Sequence, residues 1–116
     1  IFPYIWNEVR IFVSHDSDFK FVRETMRKIA EEELGDSMLR RIKRYKKILA
    51  TTPVDELEVK EAPSTLIRVH DNGWIEISVR FLVNPKNSGI YKKTILERSI
   101  TSLRESPDKV RFPTNT

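Results

Sequence analysis

Two-residue alternation runs from Trp74 to Val83, the longest such stretch in the chain. Ile75, Ile77, Val79, Phe81 and Val83 fall to one side and Trp74, Glu76, Ser78 and Arg80 to the other, the pattern of a strand with one face in a core. Asp71-Asn72-Gly73 supplies the positive-φ positions of a tight turn, so residues 65–70 are predicted to pair with this strand as a hairpin. Nearer the start, Val9, Ile11 and Val13 alternate with Arg10 and Phe12, which predicts a first strand over residues 8–14.

Helical spacing takes over between these strands. Asp16, Ser17 and Asp18 can each accept hydrogen bonds from the orphan amides of a helix that begins near Phe19, and Val22, Met26, Ile29 and Ala30 mark its buried side. Gly35 suits a left-handed cap at its end. Asp36 and Ser37 can open a second helical segment, with Met38, Ile42, Tyr45 and Leu49 as its stripe and Thr51-Thr52-Pro53 as its stop, or the two segments form one bent helix. Residues 54–64, charged and flanked by prolines, read as a loop.

After the hairpin, the polar cluster over residues 84–89 leads into a helix over residues 90–105 that buries Ile95, Leu96, Ile100 and Leu103. Ser106-Pro107-Asp108 breaks it, and Val110 and Phe112 alternate in a short fourth strand, residues 109–112, closed by Pro113. The order βαββαβ predicts an α+β, ferredoxin-like fold: an antiparallel sheet with both helices on one face. Arg10, Phe12, Trp74, Glu76, Ser78 and Arg80 then share the other face, a mixed surface suited to a partner.

Composition narrows the functions open to such a domain. The chain has 116 residues, enough for one domain with one core, and no cysteine, which excludes disulfides and thiolate chemistry. Its net charge of +4 is mildly basic, because 17 acidic residues are interspersed with 21 basic ones. No apolar run approaches the roughly 18 residues of a membrane-spanning helix. The chain opens on Ile-Phe-Pro-Tyr-Ile-Trp without a methionine, from which we expect a preceding segment in the natural protein.

Candidate chemistry is sparse. His15, Asp16 and Asp18 could hold a divalent metal, but a helix cap explains the aspartates and an exposed side chain the histidine, so no metal and no cofactor are expected. Ser78 lacks a histidine partner, His70 sits at a turn where it is expected to be solvated, and no phosphate loop or nucleophile elbow occurs; no enzymatic activity is expected. Arg40, Arg41, Lys43, Arg44, Lys46 and Lys47 form a cluster with no acid among them, a candidate contact for phosphates or anionic headgroups. Set against that is a solvated helix face partly neutralised by Glu31, Glu32 and Glu33. RNA recognition on the open sheet face is disfavoured, since Glu76 would repel phosphate and Trp74 and Phe12 make an incomplete aromatic platform.

Several of these residues carry a family resemblance. The run from Asn7-Glu8-Val9 through Phe12-Val13-Ser14-His15-Asp16-Ser17-Asp18, with Val22 and Met26 in the helix that follows, resembles the start of the cytoplasmic α/β domain of the MscS family of small-conductance mechanosensitive channels. Residues 75–81, then Ile95-Leu96-Glu97-Arg98, then Val110-Arg111-Phe112-Pro113 are similar to that family's last strand pair, helix and proline-marked ending. Residues 35–62 are longer and more basic than the family pattern, and His15 stands where a tyrosine is common. The resemblance implies a non-catalytic cage domain beneath a tension-gated pore, at the cell membrane on its cytoplasmic side and assembled as a heptamer in the full-length channel. It further implies that residues 1–7 end a linker from an upstream β-domain, that residues 8–116 are the α/β domain with a basic helical insertion at about 36–62, and that membrane-spanning helices lie outside this chain. By itself the chain is expected to be monomeric or weakly associated. A free-standing ferredoxin-like binding module for RNA or a small ligand is the alternative.

Overall fold

The structure is a computed structural model that describes residues 4–50 and 63–113; the side chains of residues 37, 38, 42, 45, 46 and 48–50 lie outside that description. Outside it too lie the expected linker residues 1–3, the helix stop at Thr51-Thr52-Pro53 and most of the expected loop, residues 54–62.

Three strands make one antiparallel sheet, β1 (Ile5–Val13), β2 (Ser64–Val69) and β3 (Ile75–Val83), in the order β1-β3-β2. The central place of β3 follows from its composition. Only a strand paired on both edges and covered on one whole face can bury the unbroken odd series Ile75, Ile77, Val79, Phe81 and Val83, and all five are buried. Register places Val9 opposite Val79, Ile11 opposite Ile77 and Val13 opposite Ile75, so the apolar positions of β1 extend the same layer. β1 begins three residues earlier than the alternation suggested: Ile5, Trp6 and Asn7 pair with Val83, Leu82 and Phe81.

The hairpin turn falls at the expected residues, with positive φ at Gly73 but not at Asp71 or Asn72. Gly73 N donates to His70 O at 2.9 Å, and Gly73 holds φ +82°, a conformation that glycine adopts without a Cβ clash. Trp74 N donates to Asn72 Oδ1 at 3.1 Å, which fixes the turn's exit.

Helix α1 spans Phe19–Ala50, with Asp18 as its cap: the Phe21 amide donates to Asp18 Oδ1 at 3.1 Å. Val22, Met26, Ile29, Ala30 and Leu34 enter the core. Gly35, at φ 72° and ψ 168°, is non-helical and bends the element, so the two segments read from the sequence are consecutive helices across a kink. A 3-10 turn (Pro85–Asn87), capped by the Asn84 side chain, leads into α2 (Ser88–Arg104). Ile95 and Leu103 of α2 join the core beside β1, with Leu96 and Ile100 packed at its margin.

The predicted fourth strand does not form. Lys109 N and Val110 N both donate to Ser106 O, Arg111 N donates to Ser17 Oγ, and Pro113 has no amide hydrogen. Too few donors remain to build a ladder. What the segment does instead is close the end of β1: Ser14 N donates to Arg111 O at 2.7 Å and Asp18 N to Lys109 O at 2.8 Å, while Val110 is buried in the core. The architecture is thus α+β, a three-stranded antiparallel sheet with two helical elements packed on the face that carries the core.

Candidate interaction surface on the sheet

The face of the sheet away from the core is built by register. Across β3, Glu76 lies between Phe12 and Arg68, Ser78 between Arg10 and Leu66, and Arg80 between Glu8 and Ser64, while Trp6 opposes Leu82. Period-two geometry puts all of these on one side, so the structure does bring together Arg10, Phe12, Trp74, Glu76, Ser78 and Arg80.

The expectation that all six are solvent-facing is corrected at the centre. Glu76 is 3% exposed and Ser78 1%, since each stands on the central strand with a residue of both flanking strands beside it. Glu76 is accommodated there by two basic neighbours. His70 Nε2 lies 3.1 Å from Glu76 Oε1, the distance at which an N–H donates to a carboxylate, and Arg68 Nη1 lies 3.8 Å from Oε2. His70 is therefore not merely solvated at its turn: its ring also meets Phe12 edge-on, with centroids 5.2 Å apart, and Phe12 meets Trp74 at 6.0 Å. On the other half of the face, the Arg80 guanidinium lies over the Trp6 ring at 5.2 Å. Trp6, Arg80, Glu8 and Arg68 there line a shallow hollow.

Three members of this surface, Trp6, Arg68 and His70, are not found by reading single elements. They were accessible to a stricter use of the same signal, since Trp6 continues the series Glu8, Arg10, Phe12, and pairing back from the turn at residues 71–73 sets Arg68 opposite Glu76.

The remaining candidates are dispersed. Asp18 is spent on the helix cap, and Asp16 Oδ2 lies 3.2 Å from Arg111 Nη1. Among the described residues no group of three or more histidines, cysteines or carboxylates is placed to hold a metal ion. Between α1 and α2 runs an open groove lined by Phe21, Lys28, Ile29 and Glu105 and spanned by Arg98, which donates at 2.7 Å to both Glu32 and Glu33. The hydrogen bond from Arg98 holds the Glu32 carboxyl below its ordinary pKa, and the two that Arg98 donates to Glu32 and Glu33 raise its own. Ion pairs thus tie the two helices together across this groove.

Arg40, Arg41, Lys43, Arg44 and Lys47 are exposed on α1 beyond the bend, while the side chain of Lys46 lies outside the described set. Among the described residues no helix is long and apolar enough to cross a membrane. Comparison with protein-family models gives no match, and comparison with curated proteins gives none either.

Proposed function

We propose that this chain is an assembly module without catalytic function: the ferredoxin-like cytoplasmic cage domain of a mechanosensitive channel of the MscS type. On this reading residues 109–112 occupy the place of a fourth strand beside β1, and the natural protein is a homo-oligomer, a heptamer, at the cell membrane with this domain on the cytoplasmic side. The observation that carries the proposal is the sheet face with its aromatics and arginines: half-buried Trp74, Phe12 and Arg80 and exposed Arg10 lie away from the core around a buried and partnered Glu76. Aromatics and arginine are the residues enriched where protein surfaces meet. The order of motifs along the sequence supports the choice of assembly.

The alternative, a free-standing module for RNA or a small ligand, draws on the same face. Repulsion by Glu76 weighs less against RNA than its sequence position suggests, since the carboxylate is inward and flanked by His70 and Arg68. The aromatic rings weigh more. Stacking a base needs a free ring face within an ordered platform, and here Phe12 meets His70 and Trp74 at steep angles while Arg80 takes one face of Trp6, so the rings do not form one plane.

The test is the natural protein that carries this chain, extracted in detergent and reconstituted in patches. A large homo-oligomer with tension-gated current is expected, and Trp74→Ala with Arg80→Ala is expected to weaken its assembly. A monomeric extract, or an oligomer without tension-gated current, removes the channel reading; tight binding of single-stranded RNA by the isolated chain favours the alternative.

A further inference from the structure

We propose that the segment of α1 beyond Gly35 is a docking surface for anionic lipid headgroups, lying along a membrane surface. This inference is independent of the channel reading and rests on the helix itself.

The core contribution of α1 ends at Leu34, the last of its buried residues in the described set, and the bend at Gly35 follows immediately. The helix nevertheless continues to Ala50, and every cation described on it beyond Gly35, Arg40, Arg41, Lys43, Arg44 and Lys47, is exposed. Arg40, Lys43, Arg44 and Lys47 stand at helical offsets that share one side, and no acidic residue occurs from Ser37 to Val54. The acidic run that could have neutralised this charge is engaged elsewhere. Glu31 Oε1 accepts from Arg27 Nη1 at 2.8 Å, and Glu32 and Glu33 both accept from Arg98 at 2.7 Å. The positive field beyond the bend is therefore not cancelled by Glu31, Glu32 or Glu33.

Charge alone would suit any polyanion. What favours a bilayer is the second series in the same helix, Met38, Ile42, Tyr45 and Leu49, which recurs at offsets of four, three and four residues out of phase with the basic one. Phosphate backbones need cations only, whereas a helix lying at a lipid interface needs both an apolar stripe and a basic one. Arg41, exposed, falls between the two series, where a long cationic side chain can carry its charge to the headgroups.

The experiment is co-sedimentation of the full 116-residue chain with vesicles of phosphatidylcholine, alone or containing phosphatidylglycerol, at about 0.1 M salt. Partition onto the anionic vesicles only is expected, falling steeply as salt is raised. The variant carrying Arg40→Gln, Arg44→Gln and Lys47→Gln should partition on the order of 100-fold less while melting like the parent. Ile42→Gln should weaken binding with the charge unchanged. The salt titration of the parent needs no variant, so it decides even where a substitution disturbs folding. Equal binding to neutral vesicles, no binding to anionic ones, or tighter binding to an RNA duplex that Ile42→Gln leaves unaltered would each overturn the proposal.

Discussion

His70 Nε2 stands 3.1 Å from Oε1 of Glu76, and the two residues join the loop end of the hairpin to a carboxylate that is only 3% exposed. A buried carboxylate short of a partner carries its desolvation cost uncompensated. His70→Ala should therefore lower stability by about 1–3 kcal/mol in urea unfolding. Replacing both partners, His70→Phe with Glu76→Leu, should return most of that loss. Strict additivity of the two single changes would show that the pair is not coupled.

Val79 is fully buried at the centre of β3, paired with Val9 on one side and Thr65 on the other. Val79→Asp places an unpaired carboxylate among apolar side chains and should abolish the folded state. Circular dichroism melting that matched the parent would mean the faces of β3 are assigned the wrong way round.

Ser99 presents the opposite case, a fully buried hydroxyl on α2 whose oxygen has no hydrogen-bond partner among the described residues. Ser99→Ala removes that unsatisfied group and substitutes a better helix former. We expect a gain of up to about 1 kcal/mol in unfolding free energy, and a loss of comparable size would argue for an unseen partner.

At Gly35 an added Cβ would meet nothing within 4 Å, so space is no obstacle to a side chain. The backbone is. Its combination of φ 72° and ψ 168° is essentially restricted to glycine, and Gly35→Ala should cost about 1–3 kcal/mol unless the bend straightens. Unfolding curves together with helix content by circular dichroism separate these outcomes, and an unchanged value of both would show that the bend carries no strain.

The Arg98 bridge makes a pH prediction. Because the folded state holds the Glu32 pKa below its ordinary value of 4.5, chiefly through the Arg98 hydrogen bond, the folded state binds that proton less readily than the unfolded chain. The stability it contributes is present above pH 4.5 and is lost as pH falls through the depressed value. Arg98→Ala should flatten stability against pH in that acid window and change it less with pH near neutrality. The effect should be modest, since the pair is solvent-exposed and screened.

Alternation and turn chemistry were enough to place β1, the hairpin and its turn, because a strand's period and a glycine at positive φ are local facts. The core positions of β3, a cap among Asp16, Ser17 and Asp18, and the break at Gly35 were legible for the same reason. Two features were not. Residues 109–112 alternate as a strand should, yet whether a segment joins a ladder depends on where its amides find acceptors, and here the turn at Ser106 and the hydroxyl of Ser17 take three of them. Glu76 alternates as an exposed residue should, yet it is buried beside Phe12, from a strand remote in sequence, together with Arg68 and His70 of its own hairpin. Periodicity determines which face a side chain takes. Only the tertiary arrangement determines what stands over that face, because cover comes from neighbours that local sequence does not name.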